Sequence, residues 1–452
     1  MITSDLRGAA LVTALLDLDP APAVDFLSGA SARTWLALDE AARYSSWHRP
    51  AWADVLARRM ATTGVGPLER VLSACGRSGW VREAEVGAIA RHGESPQVLA
   101  LRSADWVEPV RARARRACEP LLAGPSVVEL APVAFALRER QLGGWLVERV
   151  EAALRDAEPA VLATALRAPD VRVRRFAYDV ALTRGSLDLD GLLRGALRDA
   201  DLPIRRRCVE AATRVADADD LRVLLTCRAA AVRAEAVRAL GSHEHAVTAL
   251  TDRSPLVRSI ARRLVPDAAD RYRALLPNPN ALAGLGETGD DTDAELVRPW
   301  LADPHARVRA AAVNALRRLR AVDVAVFEEM LTDPSGAVTR SLVAALRAHS
   351  GELDRDRLLV LLLEGGTPNV RVAAHRLLRD HSAWTRLLAA LRLVAEDAER
   401  RPAAIEDLRA WLLVEGPTAY TAPNPGELRQ ALCAAERHLD RGLLRQVAFV
   451  IG

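Results

Sequence analysis

The stretch ADPHARVRAAAVNALRRL, Ala302 to Leu319, recurs in weaker copies along most of this 452-residue chain. Asp303 followed by Pro304 reads as a helix start, because an Asp side chain can accept from the orphan amides of a first turn and Pro is tolerated at the first helical position. Val308, Ala312 and Leu316 then fall at i, i+4 and i+8, giving one apolar face with the helical period. Alanines at Ala311 and Ala315 let a neighbouring helix approach closely. The preceding segment, Asp293 to Leu301, reads as a partner helix, so the unit is a helical hairpin that buries its apolar face only by stacking on further copies.

Copies of the Val-Arg-x-x-Ala/Cys/Leu core sit at Val110, Val173, Ile204, Val232, Val257, Val308, Val338 and Val370, with spacings of 63, 31, 28, 25, 51, 30 and 32 residues. The two long gaps each hold about two units, which implies degenerate copies near Arg138 to Leu154 and near Asn280 to Leu301. An Asp stands six residues before the Arg in Asp105/Arg111, Asp199/Arg205, Asp252/Arg258 and Asp303/Arg309. The pattern departs at Cys227 before Arg233, at Asp333 before Thr339 and at Gly365 before Arg371, and the Val173 copy carries a shortened loop.

In these residues the chain resembles the HEAT-repeat family in its short bacterial, bilin-lyase-type form, over roughly residues 95 to 380. The resemblance implies an all-α, right-handed α-α superhelix, a solenoid of about ten helical-hairpin repeats, in which the Asp/Arg pair ties each repeat to the next. It is specific for fold and nearly silent on activity. We expect an atypical helical capping module over 1–93, the HEAT-like array over 94–381, and a helical cap over 382–452. The first cap should contain helices at about Ser4 to Leu18, Ser31 to Ala42, Ala51 to Thr62 and Pro67 to Cys75. The last should contain Trp384 to Leu393, Ala404 to Leu413 and Leu428 to Leu439, interrupted by a loop from Glu415 to Glu427 that includes Tyr420.

Composition agrees with helix-on-helix packing. Hydrophobic residues make up 50% of the chain and aromatics only 4%, with Ala, Leu and Val dominant, a mixture that suits helix-on-helix packing rather than a β-rich fold. All 62 basic side chains are Arg and none is Lys, which removes Schiff-base and phosphate-loop lysine chemistry. The net charge of +3 is near balance, so an argument for nucleic acid must come from where the charge sits. Five cysteines, Cys75, Cys118, Cys208, Cys227 and Cys433, form no CxxC pair; Cys208 takes the Ala position of its repeat and reads as a small buried hydrophobe. The longest aliphatic run, Leu358 to Leu363, is too short to span a membrane. Asp5 and Asp17 flank the apolar Gly8 to Leu16, unlike a secretory signal. A cytoplasmic protein without a membrane partner is expected.

Motifs with chemical meaning are few. The run PNPNALAGLGETGDD places Gly284, Gly286 and Gly289 in a formal GxGxxG. It lacks the strand and βαβ context of a dinucleotide site. With Glu287, Asp290, Asp291, Asp293 and Glu295 it reads as an acidic, Gly-rich insertion loop from Gly284 to Glu295, a candidate contact site. His243, Glu244 and His245 form a lone His/Glu cluster, short of the several pairs that hold iron in the HEAT-type deoxyhypusine hydroxylases. Ser186, Asp188, Asp190 and Gly191 imitate the front of a calcium loop, but Leu197 stands where its bidentate Glu belongs, so helix capping is the simpler reading. No catalytic constellation, cofactor or metal is expected.

Two surfaces remain as candidates. The second helix of each repeat lines the concave side of such solenoids, and the positions two and six residues after Val are least needed for packing. Those positions and their neighbours give Arg115, Arg116, Arg175, Arg206, Arg207, Arg238, Arg262 and Arg263, interleaved with Asp179 and Glu210. They make either a solvated face or a groove for an acidic protein or nucleic-acid backbone. The tryptophans near the N-terminus offer Trp47, His48 and Trp52 as an aromatic contact surface, against the alternative of a hydrophobic end cap. The expected function is a non-enzymatic scaffold binding a protein or peptide along the concave face. The alternative is a nucleic-acid-binding protein distantly similar to HEAT-like alkylpurine DNA glycosylases, with Trp300 and Asp303, or Trp106 and Asp105, as an aromatic–acid pair.

Overall fold

In the computed structural model the described residues are 9–43, 51–416 and 422–452, and all regular structure among them is helical. The helices follow one another as short antiparallel pairs. Pro96–Arg102 and Glu108–Cys118 form one such pair, and Pro159–Ala165 with Val171–Arg184 another. Many helices open on a proline or on an Asp, Ser or Thr whose side chain accepts from the first turn; Asp170, Asp201, Ser335 and Thr367 do so. The fold class is therefore all-α, an array of HEAT-like helical hairpins.

Two compact units divide the chain, Met1–Val232 and Arg233–Gly452. In the first, the core runs from Leu11, Trp35 and Leu38 through Leu72, Ile89 and Val110 to Val173 and Ala177. The helix Ala32–Arg43 packs on Pro96–Arg102 and Val127–Ala136, joining the N-terminal helices to the repeats. In the second unit the core runs from Leu250 and Tyr272 through Leu285, Leu316 and Leu342 to Leu377, Leu391 and Trp411. There the second helices Pro279–Thr288, Ala306–Arg318, Gly336–Leu346 and Pro368–His381 lie side by side in series.

Several details differ from the sequence reading. The helix expected to start at Asp303 begins at Ala306, because the Asp303 carboxylate accepts from the backbone of His305 and closes a turn before the helix. Its partner starts at Asp293 as expected but is α-helical only to Val297, continuing as a 3₁₀ turn over Arg298–Ala302. The helices Pro20–Ser28 and Gly79–His92 were not foreseen.

The largest correction concerns the acidic, Gly-rich stretch from Gly284, which is no loop. Pro279–Thr288 is a helix packed against Ala306–Arg318, and it supplies the second helix of the degenerate copy expected near Asn280. Its glycines serve close packing. A Cβ on Gly284 would lie 2.3 Å from the ring of the buried Tyr272, and one on Gly286 would lie 2.7 Å from the Cα of Ala315. Only Gly289 and the residues after it turn the chain, with Asp293 accepting from the backbone of Asp290.

Candidate interaction surface

The Asp/Arg pairs build a ladder whose rungs cross between repeats. Arg111, Arg258 and Arg309 each donate to the backbone carbonyl of the Asp six residues earlier, at 2.8, 2.8 and 2.9 Å. The Asp carboxylate is left free for the arginine of the preceding repeat. Arg82 pairs with Asp105, Arg174 with Asp199, Arg233 with Asp252 and Arg309 with Asp333. Each of those carboxylates also accepts from the amide two residues on, in Val107, Asp201, Ser254 and Ser335. A guanidinium fork reading a carbonyl in its own repeat and a carboxylate in the next fixes spacing and angle together. Where Thr339 replaces Arg, it bonds back to Ser335 instead and passes nothing onward.

Arg258 hands its fork to Glu287 rather than to an aspartate. Glu287, at the end of Pro279–Thr288, also receives Arg262 at 2.5 Å and Arg318 at 2.6 Å. Burial pushes its pKa up, but the hydrogen bonds from Arg258 and Arg318 outweigh this and hold it below the ordinary value of 4.5. This residue from the supposed acidic loop is a structural hub.

That geometry sorts the eight candidate arginines. Arg115 donates to the carbonyls of Ser103 and Leu142 and stacks over Trp145 at 4.9 Å; burial and the nearby charge of Arg111 lower its pKa. Arg175 holds Asp201 with both ends of its fork. Arg207 pairs with Asp179, Arg238 with Glu235 and Arg262 with Glu287. Arg116, Arg206 and Arg263 are exposed and make no ion pair with the described residues. Five of the eight thus have internal partners.

The aromatic candidates fare differently. Trp47 and His48 lie outside the described residues, as does Tyr420. Trp52 is buried, 9% exposed, in the core of the first unit, so it offers no contact surface. Exposed tryptophans appear instead at Trp80, 86% exposed, and Trp106, 69% exposed. The proposed aromatic–acid pairs are also committed elsewhere, since Asp105 is fully buried on Arg82 and Asp303 accepts from His305. Asp188 caps Gly191 at 2.8 Å, as the capping reading of that run requires.

A further surface of cations without ion pairs to the described residues lies outside the eight candidate arginines. In the second unit, an open groove between Gly336–Leu346 and Pro368–His381 is lined by Arg340, Val343, Val372 and Arg376. It continues into a wider space of about 710 Å³ bounded by Arg347, Arg379, Arg386, Asp380 and Glu415. Arg340 and Arg376 are exposed and make no ion pair with the described residues. Arg347 pairs with Asp380, and Arg379 and Arg386 share Asp407. Val372, also exposed, gives the groove an apolar contact beside its donors. Both arginines obey the spacing rule above, Arg340 two residues after Val338 and Arg376 six after Val370. Extending that rule to the last two copies finds them.

Comparison with known proteins adds little. No protein-family model matches the chain, and no curated protein does. Among solved structures, the complex of CpcE and CpcF of phycocyanin lyase from Nostoc sp. PCC7120 matches at 18% identity over 63% of this chain and 96% of that chain, with a TM-score of 0.19. A likeness at that level carries no inference about function. Among the described residues no helix is long and apolar enough to cross a membrane, and no cluster of three or more His, Cys, Asp or Glu side chains is arranged to hold a metal ion.

Proposed function

We propose that this protein is a protein-binding scaffold, and that its second unit takes an acidic, extended segment of a partner protein in the groove between Gly336–Leu346 and Pro368–His381. The observation that carries this reading is the pair Arg340 and Arg376, two exposed guanidinium groups that make no ion pair with the described residues and flank Val343 and Val372. Arginine is enriched at binding hot spots, and the exposed Val372 adds an apolar contact beside it. The helices already satisfy their own main chain, so recognition falls to side chains: carboxylates on the forks and small apolar residues over Val372.

The test is fluorescence anisotropy with a labelled 15-residue peptide alternating Glu with Ala and Val, against a labelled duplex DNA of similar charge. The peptide should bind saturably, and Arg340→Gln with Arg376→Gln should weaken it at least tenfold, since two charged hydrogen bonds contribute about 1.5–3 kcal/mol each. Duplex bound more tightly than peptide, with affinity falling steeply as salt rises, would point to nucleic acid and overturn the reading.

A further inference from the structure

We propose that the first unit carries a second site, independent of that groove: a cleft that binds a carboxylate attached to an apolar or aromatic body, held by Arg43 and Arg140 against Trp106. The cleft, about 430 Å³, is lined by Arg43, Ala104, Trp106, Arg140, Gln141 and Leu142. Three separate elements meet there: the end of the helix Ala32–Arg43, the turn before Glu108–Cys118, and the turn before Gly144–Arg155.

Below it lies a cluster in which four guanidinium groups meet two carboxylates. Asp105 and Asp39 are buried, as are Arg82 and Arg102. On Asp105 the acceptor positions are largely taken by the inner pair. Asp105 receives two bonds from Arg82 at 3.0 Å, one from Arg102 at 3.0 Å and the amide of Val107 at 2.9 Å. Asp39 receives Arg102. A carboxylate has about four lone-pair sites, so little of Asp105 remains for the outer cations. Arg43 reaches Asp105 and Arg140 reaches Asp39 only at 3.4 Å, while Arg43 approaches Asp39 at 3.2 Å.

Among the described residues the cluster thus sets four guanidinium groups against two carboxylates, an excess of two positive charges, and the outer cations, Arg43 and Arg140, are the ones that line the cleft. Burial and the charge of Arg102 lower the pKa of Arg43, a second sign that positive charge is in excess. An anion seated between Arg43 and Arg140 would complete the cluster with charge-assisted bonds. The remaining wall selects what carries it. Trp106 stands 69% exposed with its ring stacked near Arg82 at 5.7 Å, and Leu142 and Ala104 add apolar surface. A bare inorganic ion would leave that wall in water, whereas an aryl or alkyl carboxylate would cover it.

The experiment is ¹⁹F NMR on the full chain carrying 5-fluorotryptophan, with the Trp106 resonance assigned by Trp106→Phe and the exposed Trp80 as a bystander. Benzoate, the blocked dipeptide acetyl-Phe-Glu-amide, and inorganic phosphate are titrated at constant ionic strength. The site predicts a saturable shift of Trp106 without a matching shift of Trp80, weakened at least tenfold in Arg140→Gln. That side chain is 43% exposed, so the variant should fold. A shift from benzoate assigns a small organic acid, and one from the dipeptide alone assigns an acidic segment of a protein. Phosphate acting as strongly as either probe, no saturable shift, or a shift unchanged in Arg140→Gln overturns the proposal.

Discussion

Each unit holds a cluster of arginines around scarce carboxylates, and the two clusters do different work. In the first, Asp39 and Asp105 join residues 62, 63 and 101 positions apart in sequence, tying Ala32–Arg43 to the repeats. In the second, Glu287 gathers Arg258, Arg262 and Arg318 from the helices on either side of its own, 25 to 31 positions away. The first is a junction whose two carboxylates and inner arginines, Arg82 and Arg102, are buried, while Arg43 and Arg140 reach its rim. The second lies nearer the surface, and two of its three arginines can turn toward water, Arg262 being 20% and Arg318 38% exposed. Removing a carboxylate should therefore cost more in the first, because an unpaired buried charge cannot be rescued by solvent.

Asp105→Asn is the sharpest way to break that contrast. It removes the charge facing Arg82 and Arg102, both essentially unexposed, and should destabilise the first unit by about 3–5 kcal/mol. Hydrogen exchange in Gly79–His92 and Pro96–Arg102 should accelerate by at least two orders of magnitude, with the amides of the second unit unchanged. Glu287→Gln should cost less, roughly 1.5–3 kcal/mol, since only Arg258 is left buried. Equal effects would show that the two clusters are equivalent and that depth does not separate them.

Acid sharpens the same comparison. For both carboxylates burial raises the pKa, and hydrogen bonds from arginine outweigh it, so each is held below its ordinary value, 3.8 for Asp105 and 4.5 for Glu287. A carboxyl with a depressed folded pKa contributes stability above its ordinary value and loses it as pH falls toward the folded one. Lowering the pH should thus remove the contribution of Glu287 first, from about 4.5, and that of Asp105 from about 3.8. Exchange rates followed separately for the two units between pH 6 and pH 3 will show whether the order holds.

Why the array was legible and the clusters were not follows from the range of each interaction. The apolar spacing of Val308, Ala312 and Leu316 is local and repeats, so hairpins could be read from it. The Asp-to-Arg spacing of six is also local, and its carbonyl bond follows it. Its carboxylate partner lies 19 to 25 positions away, at a separation that varies from joint to joint, as in Arg233 with Asp252 and Arg174 with Asp199. Gly284 and Gly286 read as loop residues because nothing in their own segment reveals Tyr272 and Ala315 across the interface. Trp52 and Trp106 are the same residue type, and packing buries one and leaves the other exposed. Arg340 and Arg376 follow the same local spacing after Val338 and Val370 and were legible in principle, whereas their lack of an ion-pair partner among the described residues is set by helices distant in sequence.

Tyr272 also supplies a packing test within the second unit. Gly284→Ala would drive a methyl into its ring, forcing Tyr272 or the helix to shift, and overpacking of this kind costs about 1–3 kcal/mol. Gly351→Ala is the matched control, because a Cβ there meets nothing within 4 Å. Its effect on urea unfolding should be much the smaller. If both glycines tolerated alanine equally, the close approach of Pro279–Thr288 to its neighbours would be wrong.

The smallest effect is expected where arginines have no internal work. Arg340→Gln and Arg376→Gln remove side chains that make no ion pair with the described residues, so each should change stability by less than about 0.5 kcal/mol. Contrast this with Arg258, whose fork is closed on Glu287 and on the carbonyl of Asp252. A charge kept in the groove without contributing to stability is available to a ligand, whereas one that stabilises its own unit is not. Urea midpoints for the two variants separate these cases: a loss well beyond 0.5 kcal/mol would place Arg340 and Arg376 among the structural arginines and remove the groove's reason for binding a partner.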